Sequence, residues 1–487
     1  MNKEKPFIHL FETQGGKYIF DVNTNAIIKI NNETYRMLED LLEDKNYIGE
    51  KFQSYCESNY ILKELKEKGF LSSKRVKKVV HPVSDILEDY LQNKMSMIIL
   101  QVTQQCNLRC DYCPYSGGYV NRSHKNVRMS FETAKKGVEF LLDNSREVDV
   151  VNIGFYGGEP LLEFELIKKI IAYAKEISEG KTITFSTTTN GTLFTKEIIE
   201  FLMEHDVQIS ISLDGPKEVH DRNRKFAVTG CGSFDKVNKN LQFFKENYPE
   251  YFKKISFNTV LDRKDSFGCI NKFFTDYDLI KDSMITSTEM SLQYIKTEEN
   301  MENEEYDIQL NYELFKIHLA RLNRFDNNKT SKLVKGYFDF LKKALLDDRV
   351  RSKELSDIEH HGGPCIPGAT RLFADVNGNL YPCERVSEES EVMRIGTLDS
   401  GFDYDKIRRI LNVGQITEKS CTKCWAFRFC TLCAASADEL DRLSAGKKKA
   451  NCASVRFELE EHLKDYCMLN EFGYHFNDTN ILQIVEV

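Results

Sequence analysis

No stretch of this sequence comes near the ~18 consecutive apolar residues of a membrane span, so none is expected. The opening residues, MNKEKPFIHLFE, contain no apolar core of the kind a secretory signal needs. The chain is therefore expected to stay in the cytoplasm. Positive charge is not in excess either: 67 Lys and Arg against 75 Asp and Glu leave a formal net charge of −8. That balance argues against a general nucleic-acid binder, a local basic patch apart. Internal repeats of about 20–50 residues and low-complexity tracts are also missing, which excludes a repeat array. What remains is 487 residues, 41% hydrophobic and 29% charged, the composition of a folded chain of roughly two to four domains.

Cysteine, by contrast, is plentiful, with 14 in the chain. In the cytosol these are not expected to be disulfides, which leaves metal binding or redox chemistry. Ten fall into three groups: Cys106, Cys110 and Cys113; Cys365 and Cys383; Cys421, Cys424, Cys430, Cys433 and Cys452. Thiolates this close in sequence repel unless a cation neutralises them. Cys56, Cys231, Cys269 and Cys467 stand alone and are expected to be small buried hydrophobes.

Residues 1–80 read as a small unit of their own. Residues 17–22 and 26–30 are strand-like, with Asn23-Thr24-Asn25 as a hairpin turn. Helical spacing follows at 33–42 and 61–68, ending at Gly69. Two strands and two helices suggest a winged-helix-type module. Residues 81–94, with Pro82, suit a linker. From 95 to 310, apolar or β-branched runs at 95–103, 150–156, 182–189, 207–213, 254–260 and 290–295 alternate with helical patterns at 130–143, 162–177, 195–205 and 234–247. Repeated βα units predict an α/β fold with a parallel sheet, here a partial (β/α)6 barrel rather than the eightfold one. The acidic run 298–305 suits a solvated face, residues 306–350 look helical, and 311–359 would bridge to a Cys-rich domain at 360–487. Lys447–Lys449 is expected to be an exposed basic turn.

The spacing Cys106-x3-Cys110-x2-Cys113 follows the first strand, at the end of the sheet where barrel active sites are built. Three thiolates can hold three irons of a [4Fe–4S] cube and leave the fourth open; a structural zinc is the other reading of the motif. This spacing resembles that of the radical S-adenosylmethionine superfamily. Other motifs stand where that resemblance requires them. Tyr156-Gly157-Gly158-Glu159-Pro160, after the second strand, is similar to the family's GGEP motif, whose backbone and glutamate receive the amino group of S-adenosylmethionine. By the same resemblance Thr189 and Asn190, then Ser212 and Asp214, supply polar contacts to the ribose and methionine end. Arg224 would pair with the methionine carboxylate, Tyr112 would shield the adenine, and Val260 would offer backbone contacts to the base. The resemblance implies reductive cleavage of S-adenosylmethionine to a 5′-deoxyadenosyl radical, with an electron donor such as flavodoxin or ferredoxin.

The C-terminal cysteines resemble those of the SPASM domain, which holds two auxiliary [4Fe–4S] clusters, three clusters in all. Cys421, Cys424, Cys430 and Cys452 would bind the distal one, and Cys365, Cys383 and Cys433 the proximal one. The gap of two between Cys430 and Cys433 departs from the commoner gap of three, and a zinc ribbon is the alternative on spacing alone. The proximal cluster would keep an open iron for a substrate thiolate, or take Cys467 as a fourth ligand. Glu384, beside Cys383, is similar in position to an acid–base residue of anaerobic sulfatase maturases, and is a candidate base for a substrate thiol. Residues 1–80 resemble a PqqD-like leader-recognition element, with an edge strand within 17–30 as the docking line for a precursor peptide. Together these imply a maturase of Cys-rich precursor peptides, of the ranthipeptide or SCIFF type, forming thioether links between a Cys sulfur and a carbon. The alternatives are a carbon–carbon cross-linking or epimerising maturase, an anaerobic sulfatase maturase, and, from a different class, a zinc-dependent binding protein.

Overall fold

Along the strand Met97–Thr103, Ile98, Leu100 and Val102 are buried while Met97 and Ile99 line a cavity, the alternation expected of a strand with two different faces. A computed structural model describes residues 4–297 except 46, 48 and 179, then 302–337, 354–362, 365–474 and 484–486, the last three by backbone alone. Within it, Met97–Thr103 is the first of six parallel strands. Val150–Gly157, Thr182–Thr189, Gln208–Ser212, Ser256–Leu261 and Met284–Glu289 follow in spatial as in chain order. The connecting helices begin where hydroxyls cap them: Ser130 accepts from the Thr133 N–H before Phe131–Asp143, and Thr195 from the Ile198 N–H before Lys196–Glu204. Their buried stripes, such as Ala134, Val138 and Leu141, close the convex side of the sheet.

The sixth strand corrects the sequence reading. It is Met284–Glu289, not 290–295. The apolar stretch 290–295 carries Tyr294 at φ 63°, which no strand continues through, whereas Met284–Glu289 is half-exposed and shows little hydrophobic pattern. Two helices, Lys217–Asn223 and Phe267–Asp276, are also present. The sheet does not stop at the sixth strand or at the Cys-rich region. Leu372–Ala374 pairs in parallel with the first strand, and Asn379–Tyr381, Gly396–Thr397 and Gly401–Phe402 continue antiparallel, so ten strands form one sheet.

The N-terminal unit contains the expected strands Lys17–Asp21 and Ala26–Ile30, with Asn25 at φ 59° in the turn, and helices Asn32–Glu43 and Tyr60–Glu67. It adds a strand, Ile8–Glu12, and a helix, Gly49–Ser58. The expected docking edge within 17–30 is not free. Lys17–Asp21 is paired on both sides, and Ala26–Ile30 carries Ile484–Glu486 in parallel register on its outer side. Arg428 reaches from the C-terminal region to the carbonyls of Val22 and Asn23, both at 2.7 Å, and His9 stacks on Trp425. The unit is thereby held against the rest of the chain.

Glu304–Arg321 is helical; of the stretches read as acidic and helical, residues 298–301 and 338–350 lie outside the described residues. Cys56 and Cys467 are buried as expected, but Cys231 and Cys269 are exposed. Lys447–Lys449 is not a turn: it sits in the helix Ala445–Ala450, and Lys448 is buried. No described helix is long and apolar enough to cross a membrane.

Candidate active site

The first three cysteines are gathered by backbone pairing. Beyond the first strand, Leu108–Cys110 pairs antiparallel with Arg224–Phe226, placing Cys110 opposite Arg224. The turn after the second strand closes on the same loop: the Gly158 N–H donates to Thr103 O at 2.9 Å and the Glu159 N–H to Gln105 O at 3.0 Å. Only glycine fits there. A Cβ at Gly157, which has φ +137°, would stand 2.1 Å from Thr103 O, and one at Gly158 2.1 Å from Gln105 O. The thiols of Cys106, Cys110 and Cys113 perturb one another electrostatically, and burial pushes Cys106 and Cys110 up to about 12 and Cys113 upward. Left alone they are thiols; a bound metal would displace their protons.

Glu159 is fully buried at the first residue before the turn Pro160–Glu163. One carboxylate oxygen accepts from the Leu161 N–H and from the Thr189 hydroxyl at 2.8 Å, the other from the Asn190 N–H at 2.7 Å. Burial raises its pKa to about 7 against those donors. Both oxygens therefore tie the GGEP-like turn to the end of the third strand. Asn190 in turn points its amide at Cys106 Sγ, 3.9 Å away.

Asp214 is the second buried node. It accepts from Arg224 Nε at 2.8 Å and Nη2 at 3.1 Å, from the Tyr112 hydroxyl at 2.5 Å and from the Val260 N–H at 3.2 Å. Burial alone would raise its pKa, but the Arg224 charge and the hydrogen bonds outweigh that and lower it. Arg224 lies over the Tyr112 ring, 5.4 Å from its centroid. Four residues expected to touch one ligand thus form a single network beside Cys110, with Arg224 committed to Asp214 through two of its nitrogens. Ser212 stands on the fourth strand opposite Asn258.

Several participants carried no motif. His220 receives the Asp214 N–H at 3.4 Å on one nitrogen and meets Ser233 Oγ at 3.0 Å with the other. Arg122 makes a buried ion pair with Glu388 at 2.7 Å and lies over the Tyr115 ring, and His124 Nε2 stands 3.9 Å from Cys113 Sγ. A paired, buried arginine in a loop leaves no periodic trace, so sequence alone does not find it.

The parallel sheet lines a half-open cavity of about 670 Å³, walled by Ile99, Tyr156, Ser186, Thr188, Ser210 and Glu384 and, at the strands' N-terminal ends, by Met97, Gln208, Ser256 and Met284. Glu384 holds Arg371 at 2.9 Å with one oxygen; its other oxygen is buried with no hydrogen-bond partner among the described residues. Tyr156 is perturbed, after burial, first by Glu384 and then by Cys113, so both lie near the phenol. In the C-terminal region Cys383 is perturbed by Cys365 and Cys433, and Cys430 by Cys421 and Cys424. Cys452 Sγ is 3.9 Å from the Lys448 carbonyl, beside the Cys421 set. Cys365, Cys383 and Cys433 are thus near one another, as are Cys421, Cys424 and Cys430. Cys467 belongs to neither; its neighbours are Glu471 and Lys29.

Residues 100–267 match the family model "Radical SAM superfamily". They form a radical SAM domain. The radical SAM cyclopropyl synthase TigE of Paramaledivibacter caminithermalis is 29% identical over 279 residues, 52% of this chain and 54% of that one, so this chain spans about half of it. A cysteine-type anaerobic sulfatase-maturating enzyme of Clostridium perfringens is 26% identical over 350 residues, 69% of this chain and 87% of that one. The solved structure of native anSMEcpe with bound AdoMet superposes with a TM-score of 0.57 at 23% identity, covering 77% of this chain and 99% of that one, a likeness of fold.

The radical SAM domain offers a donor set that suits its cofactors. Three thiols, one buried and two half-buried, stand on one loop, and Arg109 and Arg224 offset their negative charge when ionised. Among the described residues no three Cys, His, Asp or Glu side chains meet at a single ion. A cubane does not ask for that, since each thiolate holds its own iron.

Proposed function

We propose that this radical SAM enzyme modifies a Cys-rich precursor peptide, joining a Cys sulfur to a carbon of an acceptor residue in an intramolecular thioether. The observation that carries this reading is the junction of Cys383 and Glu384. Cys383 belongs to the trio with Cys365 and Cys433, and the next residue, Glu384, lines the cavity with an unpartnered oxygen. A trio of thiolates leaves one iron of a cubane open, and a peptide thiolate is a suitable fourth ligand. Glu384 would take the proton of that thiol, with Arg371 fixing its other oxygen.

In this reading Cys106, Cys110 and Cys113 hold the first [4Fe–4S] cluster, and Cys421, Cys424, Cys430 and Cys452 the distal auxiliary one. Cys365, Cys383 and Cys433 hold the proximal one, in a SPASM-type region at 360–487. With S-adenosylmethionine bound, the first cluster would supply the radical that removes a hydrogen atom from carbon, and an auxiliary cluster would take up the one electron released when the deprotonated Cys sulfur bonds to that carbon. The protein's own part is orientation and exclusion of water. The glycine turn and Glu159 fix the cysteine loop, Asp214 and Arg224 lock it to the fourth and fifth strands, and the hydroxyl-lined cavity holds the peptide. Residues 1–80 serve as the leader-recognition unit, 81–94 as linker, 95–310 as a partial (β/α)6 barrel and 311–359 as bridge. Flavodoxin or ferredoxin provides electrons.

Co-expression with a Cys-rich peptide encoded beside this chain tests the proposal. Mass spectrometry is expected to show a loss of two hydrogens per link and protection of one Cys from alkylation per link. An unlinked product with inverted residues would replace the thioether by epimerisation. A second reading, oxidation of a Cys to formylglycine, is favoured by the 87% coverage of the sulfatase-maturating relative. Its product, an aldehyde reactive toward hydrazine, separates the two.

A further inference from the structure

Lysine is among the residues least often buried, and then it is paired with a carboxylate. Lys448 breaks that rule. It is 1% exposed. Its ammonium has three N–H donors, and the structure gives it three acceptors: Thr417 Oγ1 at 3.0 Å, His361 Nε2 at 3.4 Å and Cys421 Sγ at 3.9 Å. None is a carboxylate, and among the described residues Lys448 forms no ion pair. His361 supplies no charge. Its Nε2 accepts from the ammonium while its Nδ1 faces Cys430 O at 3.3 Å, the arrangement of a neutral ring. A buried cation with only neutral partners is costly.

The missing anion has one source in reach. Thr417 Oγ1 also touches Cys421 Sγ, at 3.1 Å, and the Lys448 carbonyl lies 3.9 Å from Cys452 Sγ. Lys448 thus contacts two of the four cysteines of one set through opposite ends of the same residue. Arg456, beside Cys424, is exposed, so water screens it.

We infer that Lys448 is the internal counter-cation of an auxiliary cluster on Cys421, Cys424, Cys430 and Cys452, and that its charge raises that cluster's reduction potential. The inference rests on the auxiliary-cluster reading above. A [4Fe–4S] cube with four thiolates is anionic, and reduction by one electron adds a further negative charge. A fixed positive charge on a ligand sulfur favours the reduced form, and hydrogen bonds to ligand sulfurs act in the same sense. Lys448 is a positioning and tuning residue; it touches no reacting atom.

The test is a potentiometric titration followed by electron paramagnetic resonance. It uses full-length protein in which Cys106, Cys110 and Cys113 are Ala, so that only auxiliary signals remain. Lys448→Met is compared with Lys448→Arg. The expected result is full auxiliary iron in both. In the Met variant one signal moves to lower potential by tenfold or more in the reduction equilibrium, 59 mV for one electron. The Arg variant restores it, and the signal from the Cys365, Cys383 and Cys433 site stays still in both. Loss of one cluster's iron in the Met variant with retention in the Arg variant also supports the charge. An unmoved potential with full iron overturns the inference, as does loss of the cluster in both variants, which would make the role one of packing. If the parent protein holds zinc at these cysteines, the auxiliary-cluster reading itself has failed, and iron and zinc analysis shows that before any variant is made.

Discussion

Replacing Asp214 by Asn keeps the shape of the side chain and removes its charge. The structure sets the size of the effect. Asp214 is 1% exposed and accepts four hydrogen bonds, two of them from Arg224, which is itself buried. Asn has one acceptor oxygen where the carboxylate had two, so its NH₂ faces at least one donor, and the guanidinium loses the buried counter-charge it pairs with. Breaking a buried pair from one side costs about 3–5 kcal/mol. The strand pair it braces, Leu108–Cys110 with Arg224–Phe226, carries Cys110, so the loss falls on the cysteine loop. Hydrogen–deuterium exchange of the metal-free protein reads that segment without assuming that the whole chain unfolds in one step. Exchange across 108–110 and 224–226 is expected to accelerate by about a hundredfold or more, since each ~1.4 kcal/mol is tenfold. Asp214→Asn combined with Arg224→Met is expected to recover part of the loss, because the orphaned charge is gone. An Asn variant that exchanges within about threefold of the parent would refute the reasoning.

Three further outcomes follow from the same geometry. Gly158→Ala drives a Cβ into a backbone oxygen 2.1 Å away, so it is expected to cost about 1–3 kcal/mol and to empty the first iron site while sparing the C-terminal ones, read by iron content per chain. His220 is held down to about 4 by burial, so it favours folding only while neutral. Its contribution, of order 3 kcal/mol, is full above pH 6.5 and is lost as pH falls toward 4, which urea titrations at stepped pH will follow; His220→Gln is expected to flatten that limb. Glu384→Gln is expected to lower cross-linking at least tenfold while S-adenosylmethionine cleavage continues, and equal loss of both would show that Glu384 acts elsewhere.

The chemistry-bearing residues were legible because spacing carries them. Cys106-x3-Cys110-x2-Cys113 and the Gly157-Gly158-Glu159-Pro160 turn are contiguous, and their geometry is local. Five of the six parallel strands were legible for a similar reason, since strands buried on one face and packed under helices keep an apolar pattern. The sixth was not: Met284–Glu289 is half-exposed at the sheet edge and reads Met-Ile-Thr-Ser-Thr-Glu, while the more apolar run after it is broken at Tyr294. Pairings between distant residues were illegible for a different reason. Nothing local in Arg224 says that Asp214 holds it, nothing in Lys448 separates it from Lys447 and Lys449 on either side, and nothing in Ala26–Ile30 says that Ile484–Glu486 covers its edge. Such facts belong to the tertiary structure, where burial and partners decide what a charge or an edge can do.

The central claim is that the first cysteine loop loads iron for radical chemistry. The most direct measurement is metal content, together with 5′-deoxyadenosine formation, for the anaerobically purified protein and for its Cys106→Ala, Cys110→Ala, Cys113→Ala triple variant. The account predicts a brown parent protein with about twelve irons, the count of three cubes, that cleaves S-adenosylmethionine when reduced. The triple variant should keep about eight irons and release no 5′-deoxyadenosine. A colourless parent with stoichiometric zinc, or a triple variant that still cleaves S-adenosylmethionine, would contradict it.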